Sequence, residues 1–133
     1  MTNTRKRRGA DTQRIVATAW QQDGWPYAEP VGAGACGADL TGTPGVACEI
    51  KARANLDLTG WLRQACRNAK PGTIPVLIVR PNGYGEATVD DWPAVLPHGV
   101  LRALLRAAGY GNTPQPLLGA LRPATGGGND DLG

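Results

Sequence analysis

In the run Val46-Ala47-Cys48-Glu49-Ile50-Lys51-Ala52-Arg53 apolar and polar side chains alternate from Cys48 to Arg53. In a β-strand successive side chains point to opposite faces, so Val46, Cys48, Ile50 and Ala52 form an apolar face while Ala47, Glu49, Lys51 and Arg53 form the other. Glu49 and Lys51 then stand roughly 6–7 Å apart on one surface. The preceding Thr41-Gly42-Thr43-Pro44-Gly45 carries the residues of a tight reversal. A hairpin about that turn sets Asp39 across from Glu49, at about 5 Å for cross-strand neighbours. Two carboxylates at that range repel unless a cation lies between them, and hard oxygen ligands suit Mg²⁺ or Mn²⁺. A lysine alongside can orient or deprotonate a water, or stabilise charge developing on a phosphate.

A length of 133 residues suits one domain with a single core. The formal net charge of +3 is a mild bias towards polyanionic partners. Cys36, Cys48 and Cys66 are odd in number and widely spaced, and His98 is the sole histidine, which argues against a disulfide framework and against a zinc site. No apolar run approaches the ~20 residues of a membrane span, and no signal peptide follows the basic start. The expectation is a cytoplasmic protein of a bacterial or phage-infected cell, without membrane contact.

Residues 1–10, with Arg5-Lys6-Arg7-Arg8, are expected as a flexible basic tail able to contact phosphates. Asp11 or Thr12 caps a helix to about Asp23, with Ile15, Val16, Ala19 and Trp20 on one side. Tyr27 to Val31 reads as an edge strand because of its prolines. Gly32 to Gly37 is a glycine-rich lip of the site rather than a phosphate loop, since no Lys-Ser/Thr pair or helix start follows. Asn55 or Asp57 caps a helix through Ala69, with Leu58, Trp61, Leu62, Ala65 and Cys66 as its apolar stripe and Arg63, Gln64, Arg67 and Lys70 outside. Ile74 to Arg80 is a buried strand. Arg80 at its tip either caps the surface or reaches a phosphate. Glu86 to Val89 is expected as a fifth strand, followed by a helical turn around Trp92 to Leu96. His98, a candidate general base but more ordinarily a structural loop residue, interrupts before a helix from Val100 to Ala108, with Leu101, Leu104 and Leu105 inward. The folded domain is thus expected over residues 11–109. Residues 110–133 are a Gly/Pro-rich tail, with Leu117, Leu118 and Leu121 available as a short dock.

The phrase Ala38-Asp39, nine residues, then Glu49-Ile50-Lys51, within an α-β-β-β-α-β order, resembles the PD-(D/E)xK nuclease superfamily. The resemblance covers about residues 11 to 108 and implies a restriction-endonuclease-like α/β fold, a mixed central sheet flanked by helices. The chain is similar above all to small Holliday-junction resolvases of archaeal and phage type, through Gly37-Ala38-Asp39-Leu40, Pro44-Gly45-Val46 and Glu49-Ile50-Lys51, a basic start and no added specificity domain. That likeness implies a homodimer that cuts four-way DNA junctions symmetrically with Mg²⁺, or Mn²⁺ in its place. It assigns metal binding to Asp39, Glu49 and the Ile50 carbonyl, water positioning to Lys51, and a supporting place at the centre to Gln64. Arg5, Lys6, Arg7, Arg8, Arg63, Arg67 and Arg80 would supply the phosphate footprint, and the absence of a base-reading pattern points to DNA shape over sequence. Two departures stand out. Ala38 replaces the proline, and the helix from Gln13 to Gln22 has no carboxylate, which leaves Asp11 or Glu29 as the further acidic ligand. Nicking, flap-processing or restriction-type cleavage on the same fold, and a non-catalytic DNA-binding protein with a surface Glu-x-Lys hairpin, are the alternatives.

Overall fold

The computed structural model describes residues 2–32 and 36–111. Its elements are α1 (Thr2–Gln22), β1 (Glu29–Pro30), β2 (Leu40–Thr41), β3 (Val46–Lys51), α2 (Leu58–Asn68), β4 (Ile74–Val79), a 3₁₀ stretch (Glu86–Asp91), β5 (Ala94–Val95) and α3 (His98–Ala107). The class is α/β with a small mixed sheet. The described residues fall into two compact units, the second beginning at Pro97.

In the first unit β3, β4 and β5 form a three-stranded sheet in that order. β3 and β4 are parallel, in register from Val46 opposite Ile74 to Lys51 opposite Val79. Parallel neighbours need a long crossover, and α2 supplies it. β5 closes the far side antiparallel, with Leu77 opposite Val95. The alternation of β3 and β4 sends Cys48, Ile50, Val76 and Ile78 to one face, where Ile15, Val16 and Ala17 of α1 pack with Leu40 and Trp92. The other face carries Ala47, Glu49 and the fully buried Leu77, and α2 lies over it with Ala65 buried. Asp57 caps α2 by accepting from the Gly60 N–H at 3.1 Å.

The expected basic tail is instead helical, since α1 begins at Thr2. Arg and Lys are good helix formers, and the buried Thr12, Ile15, Val16 and Ala17 anchor the turns that precede them. The expected hairpin is loose. β2 pairs with β1 in a separate antiparallel ribbon, Pro30 opposite Leu40, and meets β3 through Asp39 rather than through a ladder. Glu86 to Val89, expected as a strand, is 3₁₀ because Glu86, Ala87 and Thr88 are exposed and only Val89 reaches the core. The last strand is Ala94–Val95. Cys66 is exposed rather than part of the α2 stripe. In the second unit α3 starts at His98, and Leu101, Leu104 and Leu105, expected inward, are exposed. It is the only helix or strand among that unit's described residues, so none of those elements covers its leucines. Leu117, Leu118, Leu121 and the terminal tail lie outside the described residues, as do Ala33 to Ala35 of the lip.

The turn into β3 is the predicted one. Val46 N–H donates to the Thr43 carbonyl at 3.0 Å, with Pro44 and Gly45 between them and Gly45 at φ +84°. Pro before a positive-φ glycine is the type II arrangement. Gly42, at φ +76°, is held more tightly, because a Cβ there would collide with the Tyr27 carbonyl oxygen. Gly42→Ala is therefore expected to cost more than about 2 kcal/mol in urea unfolding, from strain and overpacking together, whereas Gly72→Ala, at similar φ but in open space, costs less.

Candidate functional site

Asp39 sits just before β2 at the free edge of β3. Its backbone N–H donates to the Cys48 carbonyl at 2.8 Å, and its side-chain Oδ2 accepts from the Ile50 N–H at 2.7 Å. A residue's N–H and C=O leave a strand on the same side, so the Ile50 carbonyl also faces the edge that Asp39 occupies. The Asp39 Oδ1 has no hydrogen-bond partner among the described residues.

Glu49 points to the opposite face from Ile50, under α2, and is only 3 % exposed. Its Oε2 lies 3.3 Å from the Lys51 Nζ, and its Oε1 accepts from the Asn68 amide at 3.3 Å. Burial, first, and the negative charge of Asp39, second, push the Glu49 pKa up; Lys51 and Asn68 pull it back only in part. Asp39, Glu49, Ile50, Lys51 and Gln64 all line one recess of about 210 Å³. Five predicted positions, drawn from β3, α2 and the loop before β2, thus come together.

The same recess is lined by Gly9, Thr12 and Gln13 of α1 and by Arg53 just beyond β3, none of which was singled out from sequence. Asn68 was missed as well. The available signal was helical spacing: Gly9 and Gln13 are four apart on α1, and Gln64 and Asn68 four apart on α2. The carboxylates proposed to replace a helix-borne acid do not line it. Asp11 is 47 % exposed and bonded to Arg14 at 2.8 Å, an interaction that holds its carboxyl below the usual range. Glu29 is exposed on β1. Among the described residues no three of His, Cys, Asp or Glu come together, so the recess is a two-carboxylate site.

Of the predicted cations, Arg5, Lys6 and Arg7 are exposed on the first turns of α1, Arg8 is half-buried there, and Arg63 and Arg67 are exposed on α2. Arg80 is largely committed to the fold. It is 12 % exposed, donates to the Tyr84 carbonyl at 2.8 Å and to the Thr12 hydroxyl at 3.0 Å, and stacks over Trp92 at 5.4 Å. His98 belongs to the second unit.

The donor set fits a hard divalent cation. Asp39 Oδ1, Glu49 and the Ile50 carbonyl are oxygen donors, the amides of Gln13 and Gln64 add two more, and no imidazole or thiol lines the recess. The Cys48 thiol lies on the opposite face of β3 and is pushed up to about 12, mainly by burial and also by Asp39, so it stays protonated.

A raised carboxylate pKa means that the folded state disfavours the charged form. The associated stability is present at low pH and falls as pH rises through the folded pKa. Glu49→Gln is accordingly expected to raise the melting temperature in EDTA at neutral pH, with the advantage over wild type shrinking towards pH 4. Addition of Mn²⁺ should stabilise wild type and leave the variant unmoved, which differential scanning calorimetry will read.

Comparison with protein-family models, with curated proteins and with solved structures finds no match for this chain.

Proposed function

We propose that the chain is a metal-dependent endonuclease with a PD-(D/E)xK-type centre on a restriction-endonuclease-like core. Its substrate is DNA, foremost a four-way junction cut by a homodimer. The observation that carries this reading is the convergence of Asp39, Glu49, Lys51 and Gln64 on one open recess, with the Ile50 carbonyl at the same strand edge. The parallel β3–α2–β4 unit, bearing the acidic strand, supports the fold assignment.

Mg²⁺ or Mn²⁺ held by Asp39, Glu49 and the Ile50 carbonyl would supply Lewis-acid polarisation of the phosphate and a bound water of lowered pKa. The protein's own residues do the rest. The Ile50 N–H fixes one Asp39 oxygen and leaves the other for ligation. Asn68 holds one oxygen of Glu49, so its carboxylate approaches with a set orientation. Lys51, now paired to Glu49, turns its ammonium to the attacking water and orients it in line with the scissile bond. Arg53 offers a cation to a neighbouring phosphate oxygen from the mouth of the recess. Arg63, Arg67 and the cations of α1 extend the footprint without reading bases.

The deciding experiment is cleavage of a labelled four-way junction and its matching linear duplex by wild type and Glu49→Gln, with Mg²⁺ and with EDTA. Paired symmetric nicks in the junction, lost in EDTA and reduced by about 100-fold or more in the variant, are expected. Cleavage of duplex or flap alone would keep the nuclease and discard the resolvase. Binding without any cleavage in Mg²⁺ or Mn²⁺ would leave a DNA-binding protein.

A further inference from the structure

Gly9 is helical and lies in the wall of the recess. Glycine is the least favourable helix-interior residue after proline, so its presence asks for a reason. Close packing is not that reason, because a Cβ built at Gly9 meets nothing within 4 Å. Backbone strain is not one either, for Gly9 is not among the positive-φ glycines. What the missing side chain does leave is clearance along α1, beside the recess.

The neighbours of that gap are suited to a polyanion. Arg5, Gly9 and Gln13 are spaced by four and form one row on α1. Gln13 stands at the recess, and Arg5 is exposed two turns away, about 11–12 Å along the axis. Next to Gly9, the Arg8 Nη2 is buried with no hydrogen-bond partner among the described residues. A buried guanidinium nitrogen left unpaired is costly and calls for an anion.

Resting on the nuclease reading, we propose that the row Arg5–Gly9–Gln13 is the wall along which the sugar–phosphate backbone of a bound nucleic-acid strand runs into the recess. Gly9 is kept bare so that the backbone can approach the helix, the Gln13 amide donates to the last phosphate before the scissile one, and Arg8 and then Arg5 take phosphates farther back along the strand.

The test pairs folding with binding. Melting temperatures and fluorescence anisotropy of a labelled four-way junction and its matching duplex, both in EDTA, are measured for wild type, Gly9→Ala, Gly9→Leu and Ala10→Leu. Ala10 is exposed on the same turn, off the row. Gly9→Ala is expected to raise the melting temperature by about 2–5 °C while weakening binding. Gly9→Leu should weaken binding by about tenfold or more, and Ala10→Leu should leave it within about twofold. Arg5→Gln should lower the salt dependence of binding by about one ion. If Gly9→Leu binds as tightly as wild type, or wild type binds no DNA, the path is overturned. Cleavage separates this outcome from the parent reading. Wild type that binds without cutting, yet loses affinity in Gly9→Leu, keeps the path and removes the nuclease; cleavage undiminished in Gly9→Leu keeps the nuclease and removes the path.

Discussion

The free edge of β3 between Cys48 and Ile50 is where fold and site depend on one residue. An edge strand presents unpaired N–H and C=O groups that must be satisfied. Here the β1–β2 ribbon does not extend the sheet, and Asp39 stands in for a strand, accepting from Ile50 through its carboxylate and donating to Cys48 through its backbone. That pair of hydrogen bonds to the edge fixes the approach of Leu40, which fills the core beside Ile50. It also fixes a carboxylate near a second, buried one. A single local solution to an edge problem thereby creates an electrostatic conflict that the protein's own cations only partly relieve.

That conflict organises the recess. Glu49 lies under α2, where solvation is poor, and its neighbours answer in different ways: Lys51 by charge, Asn68 by a directed hydrogen bond, Asp39 by repulsion. A buried carboxylate retained under such conditions weakens the apo fold unless a cation joins it. Perturbed titration in a recess with convergent polar groups is the physical pattern of a functional site, and here it coincides with the residues on which the proposed metal-dependent hydrolysis rests.

The α1 helix links these demands. Its buried face, from Thr12 to Ala17, is the apolar cover of the sheet, while its N-terminal turns carry the basic run outward from the recess. Arg80 ties the end of β4 to Thr12 and Asp11, so the helix is held in place by charge and hydrogen bonding as well as by packing. A cation that sequence alone left open between surface cap and phosphate ligand is thus mostly consumed by the fold.

The sequence by itself determined what is local. Alternation in Val46 to Lys51 made β3 and assigned its two faces, Thr43-Pro44-Gly45-Val46 specified the turn, Asp57 capped α2, and the spacing of Asp39, Glu49 and Lys51 marked three residues that line one recess. These follow from relations within about twelve residues that backbone geometry constrains directly. Tertiary structure decided the rest. It chose parallel pairing of β3 with β4 over a regular hairpin, folded the basic run into α1, turned Glu86 to Asp91 into 3₁₀, and placed Gln13 rather than Asp11 or Glu29 at the recess. Each of those outcomes rests on which surfaces find apolar cover and which backbone groups find partners far along the chain, and no local pattern encodes that competition.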